Sequence, residues 1–319
     1  MLHTVPKALE AFARGEIVVV TDDDDREGEG DLIVAASLCT PEKMAFIVRH
    51  TSGIVCAPVT LADARRLRLD PMVAHNDSAH ATAFTVSIDY KAGMTTGISA
   101  DERTATCRAL ANPNVGAGDF ARPGHIFPLI ANDGGVLMRS GHTEAAIDLC
   151  RLAGLPPVSV ISELTNDDGT VMKGPQVGCF AAAHDLKQIT IEALIAWRQA
   201  REKLIERVNR FSVASPIGPL QGHAYRSPFD PFCHVAFVYG AIGKGRDVLT
   251  RFHKQSIIED VQPAGSAGKV KRALDRFKSE GRGVLVYLRD GAAGVPIDRI
   301  EEAETHSREA DRRRQWRGG

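Results

Sequence analysis

Glu16-Ile17-Val18-Val19-Val20-Thr21-Asp22-Asp23-Asp24-Asp25-Arg26-Glu27-Gly28-Glu29-Gly30-Asp31-Leu32-Ile33-Val34-Ala35 joins two apolar runs through a loop crowded with acids. The β-branched run Ile17-Val18-Val19-Val20 predicts a buried strand, and Leu32 to Ser37 predicts another. Between them, seven carboxylates fall within the ten residues 22–31. Like charges at that density repel, so the loop needs solvent, cations or both. The spacing is not that of an EF-hand, because the glycine and the distal glutamate are misplaced. Gly28 and Gly30 let the backbone fold tightly, so several side chains can converge on one point. Hard carboxylate oxygens suit Mg²⁺ or Mn²⁺. Arg26 either neutralises its acidic neighbours or faces the oxygens of a substrate.

Strands and helices alternate on either side of this segment. Helices are predicted at Val5 to Arg14, Pro41 to His50, Ala100 to Ala111 and Thr143 to Ala153. Further strands are predicted at Ile54 to Pro58, Ala83 to Ile88 and Val158 to Glu163. Ser99-Ala100-Asp101-Glu102 has the form of a capping box, and Asn112-Pro113 stops the helix it opens. Gly154 with Pro156-Pro157 ends the next one. A long helix is predicted from Thr190 to Asn209. After it come short β-rich runs at Phe211 to Ile217, His234 to Tyr239 and Val248 to Phe252. A helix near Val270 to Ser279 and a strand at Val284 to Leu288 follow. The change of texture predicts a domain boundary near residue 205, giving domains 1–205 and 206–319. There is no internal repeat, and the charged last twenty residues read as a solvated tail.

Composition narrows the class. A chain of 319 residues with 44% hydrophobic and 25% charged residues is an ordinary globular protein, long enough for two cores. A formal net charge of -1 gives no global signature of nucleic-acid or anionic-membrane binding. The first fifteen residues lack a basic segment followed by an apolar one, and no apolar run reaches membrane-spanning length. The six cysteines, at 39, 56, 107, 150, 179 and 233, form no CxxC pair. Their scatter fits reduced thiols in a cytoplasmic protein.

Two further clusters bear on chemistry. Arg122-Pro123-Gly124-His125 reads as a turn leading into an apolar stretch, and His125 is either a satisfied structural histidine or a site residue. Arg139-Ser140-Gly141-His142-Thr143-Glu144 lies at the mouth of a well-signalled helix. Amides at a helix start point outward with partial positive charge and suit a phosphate, with Gly141 allowing close approach. Arg139 can pair with phosphate oxygens and Thr143 adds a hydroxyl. His142 either simply opens the helix or serves the same site. With the acidic loop and Glu163 at a strand end, the set suggests metal-assisted acid–base chemistry on a phosphorylated polyol or keto-sugar.

These segments resemble the 3,4-dihydroxy-2-butanone-4-phosphate synthases. The resemblance rests on Asp25 to Asp31, Thr51-Ser52-Gly53-Ile54-Val55-Cys56 and Thr95-Thr96-Gly97-Ile98-Ser99-Ala100. It continues through Arg122 to Pro128, Arg139 to Ala145 and Glu163 to Thr170, and spans roughly residues 4 to 203. It implies an α+β fold, a mixed α/β sandwich, and a homodimer with active sites near the subunit interface. It makes Glu27 and His142 the protein ligands of a catalytic Mg²⁺ or Mn²⁺. Arg26, Glu27, Asp31, Thr96, Arg139, Ser140, Gly141, His142, Thr143 and Glu163 would hold ribulose 5-phosphate. His125, Glu163, Asp31, Glu29 and Cys56 would serve catalysis. The implied reaction forms an enediol, loses water, rearranges the carbon skeleton and releases formate. Glu102-Arg103 departs from the family's Asp-Arg at that point, with charge kept and reach lengthened.

Residues 206–319 resemble a truncated GTP cyclohydrolase II. The likeness lies in Tyr225-Arg226, His234 to Phe237, Val248 to His253 and Gly281 to Arg289. That family's zinc needs three cysteines, but Ser256 and Gly265-Ser266-Ala267-Gly268 stand at their places. From Ser256 to Gly319 there is no cysteine. A degenerate domain without zinc is therefore expected, with Cys233, His234 and His253 as the conceivable replacement donors. Two rivals to a monofunctional synthase follow. One is a bifunctional enzyme that also opens GTP. The other is a non-catalytic sugar-phosphate-binding regulator, which would have no need of every acid–base group retained here. Neither nucleic acid nor membrane is an expected partner.

Overall fold

The structure, a computed structural model, describes residues 2–22, 27–227, 233–255 and 266–289, without the side chains of residues 266 and 267. Arg26, Ser256, Gly265 and the charged tail lie outside the described residues. The chain forms two compact units, Met1–Glu202 and Lys203–Gly319.

The first unit is built on one mixed sheet. Its strands are β1 (Val18–Thr21), β2 (Gly30–Ala35), β3 (Cys56–Val59), β4 (Ile88–Tyr90), β5 (Phe120–Ile130), β6 (Ser159–Glu163) and β7 (Lys187–Thr190). They lie in the order β4-β5-β3-β6-β2-β1-β7. Alternation along each strand divides the apolar side chains between two cores. Val19, Leu32, Val34, Ala57 and Val160 enter one, with Met44 and Ile47 of α2 (Pro41–His50), Leu67 of α3 (Leu61–Leu67) and Leu110 of α4 (Ala100–Leu110). Val177 of α6 (Pro175–Ala183) joins them. Val18, Val20, Ile33, Cys56 and Ile161 enter the other, with Phe12 of α1 (Val5–Ala13), Leu149 of α5 (His142–Leu152) and Leu194 of α7 (Ile191–Arg201). The sheet is thus buried on both faces, which is why its central strands read as continuous apolar runs. The result is the mixed α/β sandwich expected.

Several boundaries differ from the sequence reading, for local reasons. The predicted helix Thr190 to Asn209 ends at Arg201, and residues 206–215 instead form a strand. Their pairing with the strand Gly218–Arg226, from Glu206↔Arg226 to Ser215↔Gly218, overrides helical propensity. The predicted turn at Arg122-Pro123-Gly124-His125 is part of β5, with a cis Arg122–Pro123 bond. A Cβ at Gly124 would collide with the backbone of Ile88 and Asp89, so only glycine lets β4 lie this close. The strand predicted at Ala83 to Ile88 is reduced to isolated bridges at Phe84 and Thr85 before β4 begins.

The capping box of α4 forms as its sequence predicts, and Glu102 does more than cap. Its carboxylate accepts from the N–H and Oγ1–H of Thr95 and from Ser99 Oγ–H. Those hydrogen bonds, the Thr95 amide first, hold the Glu102 carboxyl down to about 2. Its folded pKa is below the unfolded value of about 4.3. The stabilisation is therefore present above that value and is lost as pH falls toward 2. NMR titration of Glu102 should give a midpoint near 2; a midpoint near 4 would show that the loop 95–99 is not held this way.

The second unit carries β8 (Glu206–Ser215), β9 (Gly218–Arg226), β10 (Cys233–Tyr239), β11 (Thr250–Lys254) and β12 (Gly283–Leu288). Their order is β11-β12-β10-β9-β8. Helix α8 (Ser266–Glu280) packs Phe277 on Ile217, Leu220 and Leu285.

Candidate active site

The register of the first sheet gathers the acids. Val20 pairs with Asp31 across β1 and β2, and Asp31 pairs with Glu163 across β2 and β6. Asp31 shares its strand face with Ile33, and Glu163 shares its face with Ile161, on the side of the sheet covered by α5. Cys56 lies on that side as well. Helix α5 begins at the same end, with Gly141 as N-cap and no side chain capping its first amides. A Cβ on Gly141 would run into Arg139 and Glu144.

Around this corner one ligand atom each from Asp22, Glu27 and His142 lies within 4.8 Å of the others. His142 Nδ1 stands 3.7 Å from Asp31 Oδ1, and both side chains are buried. Asp22 accepts the Glu29 amide at 2.9 Å, which folds the acidic loop back on its strand. Lys173 clamps that loop from outside, its Nζ 2.8 Å from the Glu27 carbonyl and 3.3 Å from Glu29 Oε1. Arg139 Nη1 meets Glu144 Oε2 at 2.7 Å beside the start of α5. Thr143 is buried in its first turn, and Ser140 is exposed.

Two groups feel this crowding in their acidity. Glu163 is partly open to solvent, yet desolvation first, and then the charges of Asp31, Glu29 and Glu27, push its carboxyl up to about 7, against the opposing pull of His142. Burial, followed by the charges of Asp31 and Glu163, raises the Cys56 thiol well above its ordinary range. Cys56 is thus a neutral thiol at physiological pH.

His125 and Thr96 stand elsewhere in the chain. His125 lies on β5, separated from β6 by β3, so about 10 Å from Glu163 at the usual strand spacing. Its Nδ1 is 2.7 Å from Asp89 Oδ2, and its amide donates to Asp89 Oδ1 at 2.9 Å. The buried Asp89 therefore fixes the ring and leaves Nε2 for outside chemistry. Gly97 (φ +87°) backs this pair, since a Cβ there would strike both Asp89 and His125. Thr96 is exposed beside it.

Four further residues contribute to these contacts. Asp22 was one acid among seven. Asp89 had a signal, a lone acid in an apolar strand. Lys173 and His80, which reaches Glu27 at 3.4 Å, lie far from the acidic loop in the chain and gave none. In the second unit, His253 is buried against the Tyr287 ring, with centroids 4.8 Å apart. His234 accepts the Arg289 amide. Strand β12 lies between β10 and β11, which keeps Cys233 and His234 apart from His253. Among the described residues, the Asp22, Glu27 and His142 group is the one with three donors for a metal.

The family model for 3,4-dihydroxy-2-butanone 4-phosphate synthase matches residues 6–197, and that for GTP cyclohydrolase II matches residues 206–315. The riboflavin biosynthesis protein RibBA of Salinispora arenicola is 48% identical over 306 residues, covering 95% of this chain and 73% of that protein. A crystal structure of 3,4-dihydroxy-2-butanone 4-phosphate synthase in complex with two magnesium ions is similar at a TM-score of 0.61 and 46% identity. It covers 63% of this chain and 98% of that one. RibBX, a two-domain 3,4-dihydroxy-2-butanone 4-phosphate synthase from A. baumannii, matches at a TM-score of 0.79 and 32% identity. There the match covers 99% of this chain and 89% of the other.

Proposed function

Because this chain belongs to the 3,4-dihydroxy-2-butanone 4-phosphate synthase family, we propose that Glu27 and His142, with Asp22, hold a divalent cation beside bound ribulose 5-phosphate. The protein is a lyase of riboflavin biosynthesis. It converts D-ribulose 5-phosphate to L-3,4-dihydroxybutan-2-one 4-phosphate and formate. The observation that carries the site is the convergence of two carboxylates and an imidazole within 4.8 Å, beside a carboxyl raised to about 7. Two hard oxygens and one nitrogen fit Mg²⁺ or Mn²⁺. Such a cation, when bound, polarises the sugar carbonyl and stabilises the negative charge that follows proton removal.

The protein's own groups supply the rest. The open first turn of α5, with Thr143 and Arg139, receives the phosphate, and Gly141 lets it approach the amides. Ser140 lies at the rim of that turn. Glu163, titrating near neutrality, takes up and returns protons at sugar carbons and hydroxyls. Asp31 keeps His142 oriented toward the cation. Glu29 is held by Lys173 beside the site, and the family resemblance gives Arg26 a share in substrate binding. Cys56 forms a neutral wall and weak donor.

Where His125 and Thr96 act follows from assembly. Ile54 and Ile98 are 54% and 51% exposed, one just ahead of β3 and the other next to Gly97. Large apolar side chains so placed favour cover by a second copy, and a homodimer would bring His125 Nε2 and Thr96 to a partner's sugar. The division near residue 205 separates the synthase from a C-terminal domain that keeps the GTP cyclohydrolase II framework without its zinc. The absence of cysteine after Ser256 supports that reading.

Incubation of the full chain with ribulose 5-phosphate and Mg²⁺ should release formate, EDTA should stop it, and added Mg²⁺ should restore it. Undiminished release from metal-stripped protein would overturn the cation site. The same preparation should contain no stoichiometric zinc and should leave GTP intact. One zinc per chain with formate released from GTP would make the protein bifunctional.

A further inference from the structure

We propose that His80 is a positioning residue for the cation site, holding Glu27 in place and tying the segment 71–83 to the bound cation. The inference rests on the assignment of Glu27 as a ligand. His80 Nε2 lies 3.4 Å from Glu27 Oε1. The His80 carbonyl accepts from Arg139 Nη2 at 3.2 Å, and Arg139 Nη1 donates to Glu144. One residue thus touches both the carboxylate of the cation group and the arginine of the phosphate corner.

The segment that presents His80 is built to hold it there. Ser78 N–H and Oγ–H both donate to Asn76 Oδ1, and Asn76 Nδ2 donates to the Thr82 carbonyl. The Ala81 amide donates to the Ser78 carbonyl, and Met72 N–H to Phe84 O closes the base. Ala81 takes φ +47°, a left-handed conformation that disfavours a residue with a Cβ. That bend follows directly after His80. The surrounding bonds fix the segment's shape, while its side chains stay largely exposed, so its attachment to the protein depends on few contacts. In either protonation state Nε2 can carry the hydrogen that the Glu27 oxygen accepts. A donor behind a ligating carboxylate fixes its orientation, and loss of such a partner weakens metal affinity by about 10- to 100-fold.

The test is Mn²⁺ titration of the full chain by electron paramagnetic resonance, with hydrogen exchange of residues 71–83 measured with and without Mn²⁺. Wild type should slow exchange in that segment when Mn²⁺ binds. His80→Ala should weaken Mn²⁺ binding about tenfold and remove the slowing, with KM for ribulose 5-phosphate rising more than kcat falls. His80→Gln, which retains an N–H donor, should recover most of the affinity. Wild-type affinity in His80→Ala, or equal losses in the alanine and glutamine variants, would overturn the role of His80. Glu27→Gln separates the two levels. If it bound Mn²⁺ as wild type does, the cation site itself would fall, and this inference with it.

Discussion

Replacing Glu27 with glutamine or His142 with alanine should lower formate production by about 10³-fold while leaving the fold intact. A cation that polarises a carbonyl contributes several kcal/mol to the transition state, and about 4 kcal/mol corresponds to that factor. Neither side chain is structural in the sense a core leucine is. Glu27 sits in a partly exposed loop, and His142 opens a helix whose N-cap is Gly141. Thermal unfolding of metal-free Glu27→Gln should therefore lie within about 1 kcal/mol of wild type, and circular dichroism should show that His142→Ala, which loses a buried partner of Asp31, keeps its fold. His142→Ala should also change the pH profile. His142 opposes the upward shift of Glu163, so its loss pushes that carboxyl further up and moves the acidic limb of activity to higher pH. A variant with near-normal turnover would mean that the cation lies elsewhere.

The second large effect is on stability. Arg198 of α7 donates to Asp148 of α5 at 2.7 Å, to the Gly134 carbonyl at 3.1 Å and, in a forked pair, to Glu202. Asp148 also accepts the Val136 amide and fills the space that a Cβ at Gly135 would need. Burial lifts the Asp148 carboxyl above the usual range, and the guanidinium offsets part of that cost. Arg198→Met would leave the carboxylate buried and unpaired, at about 3–5 kcal/mol. In a unit of this size that lowers the melting temperature by roughly 10 °C. The double variant Arg198→Met, Asp148→Leu should recover much of the loss, because the buried charge goes with its partner. Calorimetry of both variants decides this, and a loss below 1 kcal/mol in Arg198→Met would show the pair to be dispensable. The network also supports residues 134–139, and hence the placement of Arg139, so some loss of phosphate affinity should accompany the loss of stability.

Local signals account for what was legible beforehand. The run Val18–Val20, the capping box at Ser99 and the glycine-proline stop after α5 each declare themselves within a few residues, and each appears in the fold. The acids of the loop and the helix start at Gly141-His142 are visible for the same reason. What brings Asp31 beside Glu163, or Lys173 beside Glu29, is strand register and loop packing between distant segments, which no local window contains. Residues 206–209 read as helix because their own propensities favour it, and only their pairing partners in β9 reverse the outcome. His125 shows a different limit. Its sequence neighbourhood links it to the site, yet in a single chain it bonds to Asp89 about two strands away from Glu163. On the proposed reading it acts through a second copy of the chain, and contacts between copies leave no local signal in the sequence.

Anomalous diffraction from crystals of the full chain grown with Mn²⁺ tests the cation site most directly. The expected result is a strong peak at bonding distance from a Glu27 carboxylate oxygen and a His142 ring nitrogen, with Asp22 contributing directly or through water. A peak elsewhere in the chain, with none between Glu27 and His142, would contradict the assignment.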